Sequence, residues 1–185
     1  MRIPALFAAA LLPMSVGCLQ EVDYVDDTNA TDLFGSDYSR SDYADITSQI
    51  KDATISGQYG PNETFADGTP ATQLSGYTDG TSSNVTVISE RSNGTMGMLI
   101  VTTWDSSLLT IPAGTYTSSS MSYDSPVSVT VCATEFDAPA DDAIVVIADD
   151  PSTNERTVTV EAVVNGDYGL DNRENPALGD FSISR

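Results

Sequence analysis

From about residue 51 to the C-terminus, short runs of alternating apolar and polar residues recur between clusters of Gly, Pro, Asn and Asp. This pattern limits the possible folds more than any other feature, because side chains alternate between two faces only in a strand. In 127–134, Val127, Val129, Val131 and Ala133 fall on one face, with Ser128, Thr130, Cys132 and Thr134 on the other. Residues 156–164 repeat the device with Val158, Val160, Ala162 and Val164, and 143–148 is continuously apolar. The turn Asp149-Asp150-Pro151-Ser152-Thr153-Asn154-Glu155 between them predicts a hairpin. A second hairpin is signalled by Asn93-Gly94 between 84–90 and 95–105, since both turn residues tolerate positive φ. Along 96–104, Met96, Met98, Ile100, Thr102 and Trp104 share one face and Leu99 and Val101 the other, as in a central strand.

Further strands are expected at 53–59 and 73–77 and, around the turn Pro112-Ala113-Gly114, at 108–111 and 115–118. Phe181 and Ile183 mark a closing strand in 178–185, while 60–71 and 166–176 read as loops. Eight or nine short strands with no long helix predict an all-β domain, a single antiparallel β-sandwich, with a β-barrel as the alternative. Its core should contain Val129, Val131, Val145, Ile147, Val158, Val160, Phe181 and Ile183, with Leu99 or Ile100 largely buried. A domain over 51–185 can bury roughly two-thirds of its extended-chain surface, enough for a core without staples.

Residues 1–18 have a different grammar. Met1-Arg2 is a short positive start, 3–12 is almost unbroken apolar sequence, and Met14-Ser15-Val16-Gly17-Cys18 closes it with small residues. That is the layout of a secretory signal, and the apolar run of about ten residues falls short of the roughly 20 needed to span a bilayer. Ending on Gly-Cys, the segment resembles a bacterial lipoprotein signal peptide, departing from the usual pattern in having Ser15 three residues before the cysteine. The resemblance implies removal of 1–17, a diacylglycerol on the Cys18 sulfur and a further acyl chain such as palmitate on the new amino group. Two or three chains make attachment lasting, at about 0.8 kcal/mol per buried CH₂. Leu19, not Asp, follows the cysteine, which by the same resemblance points to the outer membrane. The tokens Thr-Ile-Ser-Gly (54–57), Pro-Ala-Gly-Thr-Tyr (112–116) and Gly-Asp-Phe-Ser (179–182) loosely resemble small uncharacterised bacterial lipoproteins of β-sandwich type, a likeness that carries no activity.

Residues 18–50 read as the lipidated cysteine and a disordered acidic tether, punctuated by Asp23, Asp26, Asp27, Asp32, Asp37, Asp42 and Asp45. Within it Ser41 offers a cap and Ile46 and Ile50 an i, i+4 pair for a short helix. The whole chain carries a net charge of −20 with no histidine, and loss of 1–17 removes one arginine and no acid, leaving −21. Such a charge disfavours nucleic acid and anionic lipid surfaces, so contact with the membrane should run through the lipid. A soluble, monomeric domain is expected, with an envelope protein or glycan as partner.

Without histidine, a His-based triad and an imidazole metal site are excluded, and no Gly-rich loop opens a helix to hold phosphate. With Cys18 lipidated, Cys132 would lack an intramolecular partner and reads as a small buried hydrophobe. No cofactor is called for. Calcium is the one plausible metal, in loops carrying Asp149, Asp150, Asn154 and Glu155 or Asp167, Asp171, Asn172 and Glu174. Asx turns account for such residues without a metal. A binding face would use exposed rings from Trp104, Tyr77, Tyr116 and Tyr123, although the apolar strand leading into Trp104 argues for core packing. The chain is thus expected to be a non-catalytic, envelope-anchored lipoprotein. The alternative is an exported carbohydrate-active enzyme using paired carboxylates, for which Glu90 or Glu161 could serve.

Overall fold

A computed structural model describes residues 43–119, 124–134, 136–140, 142–164 and 175–185. Its strands are β1 (Ala44–Asp45), β2 (Ile50–Gly60), β3 (Glu63–Pro70), β4 (Gln73–Thr78), β5 (Ser83–Glu90), β6 (Met96–Thr103), β7 (Gly114–Ser119), β8 (Val127–Ala133), β9 (Phe136–Pro139), β10 (Asp142–Asp150), β11 (Glu155–Val163) and β12 (Ala177–Ser184). A single 3₁₀ turn, Thr47–Gln49, is the only helical segment among the described residues. None of their helices is long and apolar enough to cross a membrane. The front sheet runs β1-β4-β5-β6-β8-β9 and the back sheet β3-β2-β12-β11-β10-β7, with every pairing antiparallel. The two sheets pack face to face as an open sandwich and do not close into a barrel.

Alternation places the core where the sequence points. Val129, Val131, Val145, Ile147, Val158, Val160, Phe181, Ile183 and Leu99 are all buried between the sheets. β10 and β11 pair residue for residue from Asp142 opposite Val163 to Asp150 opposite Glu155. At the β5–β6 turn only Gly94 takes a left-handed φ (82°), and its N–H donates to Arg91 O at 2.9 Å. Gly179 shows how closely the sheets approach: a Cβ there would lie 2.2 Å from Leu99 Cδ2 of the opposite sheet.

Four expectations change. The stretch 60–71 is not a loop: Pro61 and Asn62 form the turn of a β2–β3 hairpin. β3 is an edge strand with one buried apolar side chain, Phe65, so it carries no alternation to read. Phe65 meets Tyr59 edge-on at 5.6 Å, and the Arg91 guanidinium covers it at 4.2 Å. Residues 108–111 form a turn closed by Ile111 N–H to Ser107 O (2.8 Å), while Leu108 and Ile111 plug the core.

The folded body also begins before residue 51. β1 pairs with β4, and Ile46 and Ile50 are buried against Gly76, whose missing side chain leaves them room. In place of the helix over 41–50, Ile46 N–H bonds Gly76 O (2.8 Å), because sheet pairing satisfies both backbone and apolar groups. Residues 1–42 lie outside the described residues, and with them the signal segment, Cys18 and most of the expected tether. Finally, Arg156 is 1% exposed. Its guanidinium takes both oxygens of Asp149 (2.7 and 3.1 Å) and donates to Leu108 O (2.7 Å) and Ile111 O (2.6 Å). Parity with Val158 and Val160 puts position 156 on the inner face, and the ion pair with two carbonyls makes a buried cation tolerable there.

Candidate functional site

The exposed aromatic rings gather at one end of the front sheet. Trp104 is 51% exposed, Tyr43 47% and Tyr77 42%. Core packing, the expectation for Trp104, is therefore incorrect. Its N–H donates to Pro126 O (2.9 Å), which continues the β6–β8 ladder one step past Thr103. The outward parity of Met96 through Thr102 carries on to Trp104, which puts its ring on the outer face of the sheet.

Register puts the other two rings on the same outer face. Tyr77 on β4 stands opposite Asn84 on β5, and Asn84 opposite Thr102 on β6. On the other side Asp45 of β1 stands opposite Tyr77, and Tyr43, two residues earlier, keeps that parity. With strands ~4.8 Å apart, the β1 and β6 columns lie about 14 Å apart, so the three rings form a shallow platform and not a pocket. Between them the face is polar and small: Asn84 Nδ2 donates to Thr102 Oγ1 (3.1 Å) and Thr86 Oγ1 to Asn84 Oδ1 (3.3 Å).

The loop bearing Trp104 is held from beneath. Ser83 Oγ and Thr103 Oγ1 are 2.8 Å apart, and Ser83 Oγ accepts from Leu108 N–H at 2.8 Å. Arg156 grips the next two anchor points, the carbonyls of Leu108 and Ile111. Asp105, directly after Trp104, has φ of 61°, a conformation a non-glycine residue keeps only when its surroundings impose it. Two carboxylates flank the rings with lowered pKa. Hydrogen bonds from Thr47 hold Asp45 down, and the backbone N–H groups of Ser82 and Thr81 hold Asp79 down.

The remaining sequence candidates are not part of this platform. Tyr116 is half-buried on β7, with its hydroxyl donating to Pro112 O (2.6 Å), and Tyr123 lies outside the described residues. In the first acidic loop, Asp149 is taken by Arg156 and by Arg185 Nη2 (2.9 Å). Asp150 Oδ1 accepts from Ser152 Oγ (2.6 Å) and N–H (2.8 Å), which lowers its pKa; Asn154 Nδ2 donates to Arg185 O, and Glu155 faces Lys51 at 3.7 Å. Asx-turn chemistry accounts for this loop. The second loop, with Asp167, Asp171, Asn172 and Glu174, lies outside the described residues. Among the described residues no three His, Cys, Asp or Glu side chains converge as metal ligands would. Glu90 ends β5 in the front sheet, and Glu161 is exposed on β11 of the back sheet, opposite Ile144 and Leu178. The structure does not bring them together.

Cys132 faces outward on β8 by register, is buried as expected at 2% exposed, and is disulfide-bonded. The chain has one other cysteine, Cys18, outside the described residues. A bond within one chain and a lipid thioether would therefore compete for the Cys18 sulfur.

The fold and the platform define the class as an all-β sandwich domain with a solvent-facing aromatic end. Comparison with family models, curated proteins and solved structures found no match.

Proposed function

We propose that this chain is an exported, non-catalytic binding module, anchored to the cell envelope through lipid on Cys18 and, given Leu19, displayed at the outer membrane. The observation that carries the binding role is the convergence of Tyr43, Tyr77 and Trp104 on one outer face. Export is supported by the residue 1–18 pattern. The acidic surface favours a soluble head that its own charge keeps off anionic lipid.

Labelling cells with a palmitate analogue tests the anchor. The wild-type chain should take up label; Cys18→Ser should lose it and accumulate as precursor or shed protein. Equal labelling of both removes the anchor claim. The disulfide at Cys132 favours a second reading, an exported chain cut upstream of an unlipidated Cys18. That reading requires an unlabelled wild-type chain whose gel mobility shifts on reduction, with the shift lost in Cys18→Ser.

A further inference from the structure

We infer that the aromatic end of the front sheet is a docking platform for a neutral oligosaccharide. The inference rests on the binding role above and names its ligand class.

A pyranose ring presents a patch of C–H bonds on its flat face and hydroxyl groups around its rim. Its recognition therefore calls for flat rings to stack on and for small hydrogen-bonding groups beside them. The platform supplies both. Tyr43, Tyr77 and Trp104 are its rings, and Ser75, Asn84, Thr86, Thr102 and Ser128 lie on the outer face near them, with Ile100 in the same row as Thr86. Asp45 and Asp79, kept ionised by their own hydrogen bonds, stand at the β1–β4 side as acceptors for sugar hydroxyls.

Two features separate this ligand from the alternatives. A protein partner would be expected to meet a contiguous apolar centre, whereas these rings are divided by hydroxyls, an amide and the Asp45 carboxylate. A polyanion, whether nucleic acid or an acidic glycan, is repelled by the net charge of the chain. The spread of the rings over three strand spacings, about 14 Å, fits an oligosaccharide and exceeds a single sugar. The loop carrying Trp104 is already fixed by Ser83 and Arg156, so docking orders little backbone, which suits a shallow site with few contacts.

Trp104 is the only tryptophan in the chain, so its emission reports this site alone. The mature chain is titrated with maltohexaose, cellohexaose and chitohexaose, with dextran sulfate and polylysine as charged probes. At least one neutral hexasaccharide should shift the Trp104 emission saturably. Tyr77→Ala and Tyr43→Ala should each weaken that affinity by about three- to tenfold, and dextran sulfate should produce no change. Because these side chains are exposed, the variants should melt with the wild type, which separates lost binding from lost folding. No response to any of the three hexasaccharides, undiminished affinity in both tyrosine variants, or a response confined to polylysine each overturns the inference. A chain that takes up lipid label yet ignores all three sugars loses the glycan ligand and keeps the anchor; a chain that binds sugar without label does the reverse.

Discussion

The turn over 149–155, with Asp149 and Asp150, and the turn beginning at Trp104, with Asp105, use their side chains in opposite ways. In the first, every singled-out polar group turns back on the protein. Asp149 is shared by two arginines, Asp150 caps Ser152, and Asn154 holds the C-terminal carbonyl. In the second, the backbone is fixed from below while Trp104 and its neighbours on β1 and β4 are left to solvent. Arg156 joins the two, since it pairs with an acid of the first turn and pins the carbonyls of the second. An Asp-rich turn is therefore no guide to a ligand; what distinguishes the regions is which groups have partners within the protein.

The largest test of this contrast is Arg156→Met. Removing the cation leaves Asp149 to Arg185 and the carbonyls of Leu108 and Ile111 without their bonds, a loss of about 1–3 kcal/mol for each buried acceptor left unsatisfied. Denaturant melts should show it. A loss below ~1 kcal/mol would mean that the first turn does not support the second. Gly179→Ala should cost about 1–3 kcal/mol by overpacking Leu99 at the sheet interface. An unchanged midpoint would deny the close approach of the sheets.

A smaller effect is expected with pH. Asp45, Asp79 and Asp150 have folded-state pKa values below their ordinary value, so they contribute stability above about pH 4 that is lost as pH falls through the lowered values. With no histidine to titrate, melting should stay level between about pH 6 and 8 and decline on the acid side of 4. The pair Asp79→Asn and Asp150→Asn should flatten that decline; a wild-type melt already falling at pH 6 would contradict the assignment. The smallest effect is calcium. With Asp149 and Asp150 bonded within the protein, melts in Ca²⁺ and Mg²⁺ at equal ionic strength should coincide. A midpoint raised by Ca²⁺ alone would reopen the acidic loops as metal sites.

Period-two alternation made much of the sandwich legible. It identified β8, β11 and β12 and the faces they bury, while β10 was legible as a continuous apolar run between turn residues. β3 and β1 were illegible because an edge strand with one buried side chain, or a two-residue strand, has no period to show. β9, of four residues, is short in the same way. Parity did carry the burial of Arg156, and only its charge argued against reading it. The site was half legible: Trp104 and Tyr77 were named from their ring chemistry, but the burial assigned to Trp104 came from the strand before it. How far the outer face past Thr103 is covered depends on the tertiary fold, which no local pattern encodes. Tyr43 lies in a stretch expected to be tether, and only the β1–β4 pairing brings it beside Tyr77.

Emission and quenching of Trp104 in the unliganded protein test the central contrast most directly. The rings at the end of the front sheet are held out to water on an acidic surface, so the spectrum should be that of a hydrated indole open to acrylamide. Caesium should quench it more strongly than iodide at low salt, because the net negative charge draws the cation and repels the anion. A blue-shifted spectrum protected from acrylamide would place Trp104 in the interior and remove the platform.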